Sequence, residues 1–469
     1  MFSDLNTFLK YISNKKIAFI GAGISNLSII NSILKNASKS LDITILNFKE
    51  EIELDKNTLK LKQHNVKFIL GKHYLDNLNS FDLVFRSPGV YFNKPEIKNA
   101  TQHGVVVSSE MELFFELCKC KIIAVTGSDG KTTTTSLIAE MLKSQGFNVH
   151  LGGNIGKPLF EQIQTIKPSD IAVVELSSFQ LISMRKSPQI AVITNISPNH
   201  LDIHKNMKEY IQAKENIFTH QGAFDTLILN NENEFCKKMK NKSRTFIKFF
   251  STKNAVQNGT FFDEKTNEIY YSKENKKIKI LNINEIALKG MHNVENYLAA
   301  ISAVFDLVQI PTIVKVAGNF KGIEHRMEQI SSKDKINWFN DSIATTPTRT
   351  IAGLNCFKKK VILIAGGYDK KVSFDKLADK ILEKVKVLIL IGATSNKIKA
   401  SIQNSKNFNN AIIKIKQANT IDEAVSIAKT TAKPGDDVIL SPACASFDQF
   451  KNFEQRGLKF KELVNKFNN

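Results

Sequence analysis

The run Val125-Thr126-Gly127-Ser128-Asp129-Gly130-Lys131-Thr132-Thr133 carries the residue types that hold a polyphosphate. Glycines at 127 and 130 let the backbone curl so that successive N–H groups point inward, and the N-terminus of the following helix adds the positive end of its dipole. Lys131 supplies a point charge for the β and γ phosphates. The Thr132 hydroxyl supplies a ligand for the magnesium that travels with them. Gly127, Ser128, Asp129, Gly130 and Thr133 complete the cradle. Only two residues separate the glycines, against four in a Walker A loop, so the flanking elements decide. Residues 121–125 read as a buried strand, and 132–145 as a helix with Leu137, Ile138, Met141 and Leu142 at helical spacing. Strand, loop and helix in that order make a mononucleotide site.

Open α/β sheets gather ligands at the carboxyl ends of their strands, and two more polar groups fall there. Glu175 closes a strand at 171–175, placed to share the magnesium of Thr132, and His200 follows a strand at 190–195. By type alone a lone histidine is more often solvated or structural, and His200 with His204 lacks the glutamate of an H-E-x-x-H zinc site. Lys214, in a helix over 208–218, reads on composition as one more solvated lysine. Gly152-Gly153-Asn154-Ile155-Gly156 is a second glycine-rich turn, suited to a substrate path beside the phosphate loop.

The elements that position these groups fall into three alternating segments, 1–117, 118–322 and 323–469, with no Pro-, Gly- or Ser-rich linker at the joins. In the first, strands at 17–20, 43–46, 83–85 and 105–107 and a helix at 25–34 make a small Rossmann-like unit. Its Gly21-Ala22-Gly23 turn has Asn26 where a third glycine is expected, and Asn47 rather than an acid follows the second strand, which disfavours NAD. The middle segment holds the nucleotide core and, over 245–288, a small antiparallel excursion with turns at Asn258-Gly259 and Glu264-Lys265. Strands at 361–365, 387–391 and 437–440 give the last segment another mostly parallel sheet.

The 469 residues exceed one small core, and their apolar runs are strand-sized. No signal-like start precedes them, so a cytoplasmic protein without membrane insertion is expected. Five scattered cysteines, without a C-x-x-C pair, support neither a disulfide framework nor zinc. The net charge of +20 is spread over many lysines with no arginine-rich or aromatic-basic array, which argues against nucleic acid as a partner.

In order along the chain, Thr126-Gly-Ser-Asp-Gly-Lys131-Thr, Gly153-Asn-Ile-Gly156, Glu175-Leu-Ser-Ser, Asn199-His200-Leu-Asp202, Lys214, His292-Asn293-Val-Glu-Asn296 and His325-Arg326 resemble the Mur ligase family, the ATP-dependent amide-forming enzymes of peptidoglycan synthesis. The resemblance covers nearly the whole chain. Glu175-Leu-Ser-Ser-Phe-Gln-Leu181, Ser441-Pro-Ala-Cys-Ala-Ser-Phe-Asp-Gln-Phe450 and Phe453-Glu-Gln-Arg-Gly457 resemble the branch that adds D-glutamate, and the D-N-P motif often carried by the diaminopimelate and lysine branches is absent.

The resemblance implies a monomeric three-domain α/β ligase: a Rossmann-like UDP-substrate domain, a central P-loop ATPase-like domain and a C-terminal Rossmann-like domain for the amino acid. It implies joining D-glutamate to UDP-N-acetylmuramoyl-L-alanine through an acyl phosphate, with ATP and two magnesium ions. Lys131, His200 and Lys214 would be catalytic, with Thr132, Glu175, His200 and a carbamylated Lys214 at the metals. Asn293, Asn296, Arg326 and Asp341 match an ATP clamp. Gly23, Ile24, Ser25, Asn47, Phe48, Lys49 and Gly89 match the uridine diphosphate site, although Asn47-Phe48-Lys49 replaces an Asp-Thr-Arg triplet and a lysine cannot repeat a bidentate arginine contact. Asn154, Thr345, Lys370, Ser446 and Phe453 match substrate and glutamate positions, with Ile343 where some relatives have a lysine. The rival readings are another Mur-type or folylpolyglutamate-type amide ligase and a P-loop NTPase.

Overall fold

The computed structural model describes residues 2–51, 54, 56–156, 158–198, 203–274, 276–369, 372–408 and 413–467. The chain divides into two compact units, Met1–Phe320 and Lys321–Asn469. Three sheets organise them, two in the first unit and one in the second.

The first sheet is wholly parallel, in the order β3-β2-β1-β4-β5, from β1 (Lys16–Ile20), β2 (Asp42–Asn47), β3 (Lys67–Leu70), β4 (Leu83–Arg86) and β5 (Val106–Ser108). Strand order reverses between β1 and β4, which opens a crevice at their carboxyl ends. Asn26 fills the place where a glycine was expected: it is buried, and its Nδ2 donates to Ile20 O at 3.0 Å and Gly21 O at 2.8 Å. A side-chain amide here fastens the turn that a glycine would leave free.

The second sheet has nine strands: β6 (Lys121–Thr126), β7 (Val149–Gly153), β8 (Ile171–Glu175), β9 (Ile190–Ile193), β10 (Thr226–Asn230), β11 (Phe246–Ser251), β12 (Gly259–Asp263), β13 (Glu268–Lys273) and β14 (Lys276–Asn282). Their order is β14-β13-β12-β11-β10-β9-β6-β8-β7, so β6 lies at the switch point between β8 and β9. The expected antiparallel excursion is only partly so. β11 pairs parallel with β10 and β12, antiparallel pairing begins at β12–β13, and the whole segment extends the nucleotide sheet. Near-continuous apolar strands such as β6 and β8 are covered on both faces, as a parallel sheet requires. One face shares a core with the first sheet, through Phe19, Phe85, Phe114 and Phe160; on the other, the helix Lys131–Gln145 packs on the helix Met291–Val304.

The second unit has β15 (Glu328–Ser331), β16 (Asn337–Asn340), β17 (Val361–Gly366), β18 (Val385–Ile391), β19 (Lys414–Ala418) and β20 (Asp437–Leu440), ordered β15-β16-β20-β17-β18-β19. Among the described strands of this sheet, β15 and β16 pair antiparallel and the other neighbours pair parallel. At the carboxyl end of β16, Asp341 is buried; Ser441 Oγ donates to its Oδ2 at 2.7 Å and Met327 N to its Oδ1 at 3.3 Å. Burial outweighs these donors and pushes the carboxyl up to about 6. Among the described residues no helix is long and apolar enough to cross a membrane.

Arg86 ends β4 in full burial. Its Nη1 donates to Val90 O at 2.6 Å and its Nη2 to Phe179 O at 2.9 Å, so one guanidinium joins the 86–90 turn to the helix Ser178–Leu181. Arg86→Leu strands those carbonyls and costs about 2–4 kcal/mol, read as a lower urea midpoint for the first unit; a loss below about 0.5 kcal/mol contradicts the assignment. Asp341 sets a pH dependence in the second unit. Its folded pKa of about 6 lies above the ordinary 3.8, so the folded form binds more protons between those values. Stability therefore falls as pH rises through that window, by about 3 kcal/mol, and Asp341→Asn removes the slope. Urea titrations across pH 4–7, with parallel slopes for parent and variant, would contradict this.

Candidate active site

The phosphate loop is held from outside itself. Thr194, just after β9, comes so close to Gly127 (φ +154°) that a Cβ there would collide with its side chain. Gly130 (φ +76°) is the N-cap of Lys131–Gln145, and a Cβ would meet the Asn296 amide. Ser128 N donates to Asn195 O at 2.8 Å, Ser128 Oγ to Ser197 O at 3.0 Å, and Asp129 N to Asn195 Oδ1 at 2.9 Å. Thr194 Oγ1 donates to Asp129 O at 2.6 Å. The loop's curl is thus imposed by the 194–197 segment. Lys131 lies over it, with Nζ donating to Gly127 O at 3.0 Å and Ser128 O at 2.8 Å. Thr132 is buried in the first helical turn, where N–H groups have no intrahelical acceptor.

Glu175 closes β8 beside Val125 of β6. It is 1% exposed; its Oε1 accepts from Asn154 Nδ2 at 2.7 Å, and its Oε2 has no partner among the described residues. The second glycine turn is moulded to it: Asn154 N donates to Glu175 O at 2.8 Å, and Gly153 (φ +95°) approaches that carbonyl more closely than any Cβ allows. Lys214 is buried, donating to Gly127 O at 2.7 Å and Thr126 Oγ1 at 3.2 Å. Burial first and the Lys131 charge second hold its ammonium well below the ordinary lysine range, against the pull of Glu175 and Asp129. Asn296 Oδ1 accepts from Thr134 Oγ1 at 3.3 Å, and its Nδ2 donates to Asn293 Oδ1 at 3.3 Å, which brings both asparagines against the phosphate-loop helix.

A buried carboxylate oxygen without a donor suits a cation, and Thr132 and a neutral Lys214 add no opposing charge. His200 and Lys370 lie outside the described residues. Tyr210 was missed by the sequence reading: it shares a hydrogen bond with Ser128 Oγ at 2.9 Å, and Lys214 Nζ lies 4.9 Å from its ring centre. Its place four residues before Lys214 on one helix was the available signal.

Gly23, Ile24 and Ser25 follow β1, Asn47 ends β2 with Phe48 and Lys49 after it, and Gly89 follows β4, so all seven sit at the carboxyl edge of the first sheet. Gly23 caps the helix Ile24–Asn36, an anion-favouring terminus. Ile24 is 73% and Phe48 63% exposed, and Phe48 stands edge-on to Tyr74 at 6.3 Å. In the second unit, Arg326 is among the charges that favour the Asp341 carboxylate. Thr345, Ser446 and Phe453 lie on segments joined by Arg456, also missed. Its Nε donates to Ser342 Oγ at 3.0 Å, its Nη1 to Ala445 O and its Nη2 to Cys444 O, both at 3.2 Å. Ser342 Oγ donates in turn to Phe453 O at 2.8 Å.

Residues 15–109 match the family described as "Mur ligase MurD-like, N-terminal domain", 125–304 "Mur ligase middle domain" and 325–444 "Mur ligase, glutamate ligase domain". Proteins named UDP-N-acetylmuramoylalanine--D-glutamate ligase are 48% identical in Acetivibrio thermocellus and 47% in Clostridium tetani, covering 99% of this chain and 99% of each of theirs. Among solved structures, a UDP-N-acetylmuramate-alanine ligase from Thermotoga maritima shares the fold at TM-score 0.54 and 19% identity, covering 97% of this chain and 100% of that one. A pseudomurein peptide ligase from Methanothermus fervidus does so at 0.53 and 20%, with the same coverage. With its phosphate loop, its buried acid and lysine, and near-half identity over almost its full length, the chain belongs to the Mur ligase family.

Proposed function

We propose that the chain is an ATP-dependent ligase that joins D-glutamate to UDP-N-acetylmuramoyl-L-alanine, a step of peptidoglycan precursor synthesis. The observation that carries the ligase chemistry is the meeting of the curled phosphate loop, the unpartnered Glu175 oxygen and the buried Lys214 at the carboxyl end of β6 and β8. The amino acid and the UDP-sugar come from the names of the relatives. ATP gives its γ-phosphoryl group to the substrate carboxylate, leaving ADP. The glutamate amine then attacks the acyl carbon, loses its proton and expels phosphate, so an amide forms.

Each charged intermediate needs a fixed counter-charge already in place. Lys131 takes the phosphate charge when its ammonium leaves the loop carbonyls, while Ser128 to Thr133 present N–H groups. Asn293 and Asn296 position the nucleotide from the neighbouring helix, and Arg326 and Asp341 are the further nucleotide-binding residues in this reading. Glu175, Thr132, His200 and Lys214 would hold magnesium, two ions in this reading, which supplies charge neutralisation for the phosphates when bound. Lys214 serves there as a carbamate, formed when its neutral amine adds carbon dioxide and loses a proton. Its burial and the neighbouring Lys131 favour that neutral amine. Gly23 to Ser25, Asn47 to Lys49 and Gly89 receive the uridine diphosphate, Asn154 the sugar-linked substrate, and Thr345, Lys370, Ser446 and Phe453 the glutamate. The work is divided among three domains, 1–117, 118–322 and 323–469, in the cytoplasm where ATP is supplied.

Phosphate release from ATP with magnesium and UDP-N-acetylmuramoyl-L-alanine is stimulated by D-glutamate and not by L-glutamate, D-lysine or buffer, and the product gains one glutamyl residue. Stimulation by another amino acid moves the specificity, and release indifferent to all four identifies an NTPase. For Lys214, 13C NMR of protein in labelled bicarbonate shows a carbamate resonance that Lys214→Arg lacks. That variant loses about 10²–10⁴-fold in kcat. A parent without the resonance, or an active Lys214→Arg, overturns the carbamate.

A further inference from the structure

Cys118 and Cys120 mark the junction where the helix Glu110–Leu117 ends and β6 begins. Cys118 caps the helix, its N–H donating to Phe114 O at 2.8 Å, and leaves it with extended backbone (φ −67°, ψ 124°). Side chains two apart along an extended chain point to one side, and here the two Sγ atoms are 3.5 Å apart. A disulfide closes at about 2.05 Å, so the sulfurs have only about 1.5 Å to travel. Cys118 is half-buried and Cys120 is buried at 5% exposure, so solvent meets one thiol before the other. The contact with Cys120 holds the Cys118 thiol below its ordinary range and pushes Cys120 up. The remaining cysteines offer contrasts: burial pushes Cys236 up to about 12 and Cys444 up to about 11, and Cys356 is exposed on another element with its thiol also raised by burial.

We propose that Cys118 and Cys120 form a reversible oxidation site for peroxides, with Cys118 as the attacking thiol and Cys120 as the resolving one. The Cys118 thiolate attacks one peroxide oxygen, the O–O bond breaks, and hydroxide leaves a sulfenic acid on Cys118. Cys120 sulfur then attacks Cys118 sulfur; the S–S bond forms, the S–O bond breaks, and the departing hydroxide takes the Cys120 proton as water. Two electrons pass from the sulfur pair to the peroxide, and an external dithiol returns them. The bridge pins the chain one residue before the strand that ends in the phosphate loop.

Lys119 lies between the two cysteines, so tryptic cleavage after it separates them unless a disulfide holds the pieces together. The full-length protein, treated with a modest excess of hydrogen peroxide, alkylated and digested without reductant, yields the Cys118 peptide joined to Cys120-Lys121. Dithiothreitol separates them. Cys118→Ser leaves Cys120 alkylatable after peroxide, and Cys120→Ser leaves a Cys118 sulfenic acid that dimedone traps. Cys356 oxidising while Cys118 and Cys120 remain alkylatable overturns the proposal, as does a Cys118 sulfinic acid in the parent without any crosslinked peptide.

Discussion

A phosphate cradle works only if its N–H groups already converge when the anion arrives, and that demand shapes the first unit. Glycines at 127 and 130 permit the curl without imposing it. The imposition comes from the segment that follows β9, distant in sequence: Thr194, Asn195 and Ser197 each bond the loop, and the Thr194 side chain occupies the space that any Cβ at 127 would need. β9 must therefore lie beside β6, and the order β9-β6-β8 follows from what the loop requires as much as from packing. Preorganised dipoles of this kind cost no reorganisation during reaction.

Charge is arranged around that fixed frame with the same economy. Lys131 and Lys214 both reach Gly127 O, and the Lys131 charge disfavours an ammonium at Lys214. Burial adds to that effect, so the Lys214 side chain is driven toward the neutral amine. Glu175 sits opposite with one oxygen committed to Asn154 and one uncommitted. An uncommitted buried oxygen costs about 1–3 kcal/mol, which a sequence retains where a ligand offsets it.

Apolar runs made β1, β2, β4, β5, β6, β8, β9, β17, β18 and β20 legible, whereas β3, β10 and β16 went unread, and the phosphate loop was readable because all its chemistry lies within one short run. What escaped reading was whatever depends on tertiary placement. β15 and β19 are partly exposed and carry Glu328, Gln329, Lys414, Lys416 and Gln417, so no apolar run announces them. Gly153 looked like a loop residue, yet its role is set by the Glu175 carbonyl across the sheet. Tyr210 and Arg456 carried the types of a packing aromatic and a surface cation; their hydrogen bonds to Ser128 and Cys444 appear only once the chain is folded. The Asn199 to Asp202 motif was read from its place after a strand and from family order, and its residues lie outside those described.

Arg456 changes how the stretch Ser441 to Phe450 is understood. Its guanidinium is buried and meets carbonyls and hydroxyls of residues 342, 444 and 445. Ala443 takes a left-handed backbone (φ +59°), tolerated most readily by residues without a branched Cβ, and this turn brings the Cys444 and Ala445 carbonyls toward the arginine. Small residues at 443–445 are thus demanded by a buried cation that must be solvated by backbone. The stretch that distinguishes this branch in sequence is largely the mould for Arg456, and Ser446 inherits its position from that mould. One side chain thus ties together residues 342, 444 and 445, and with them the neighbouring positions of Thr345 and Ser446.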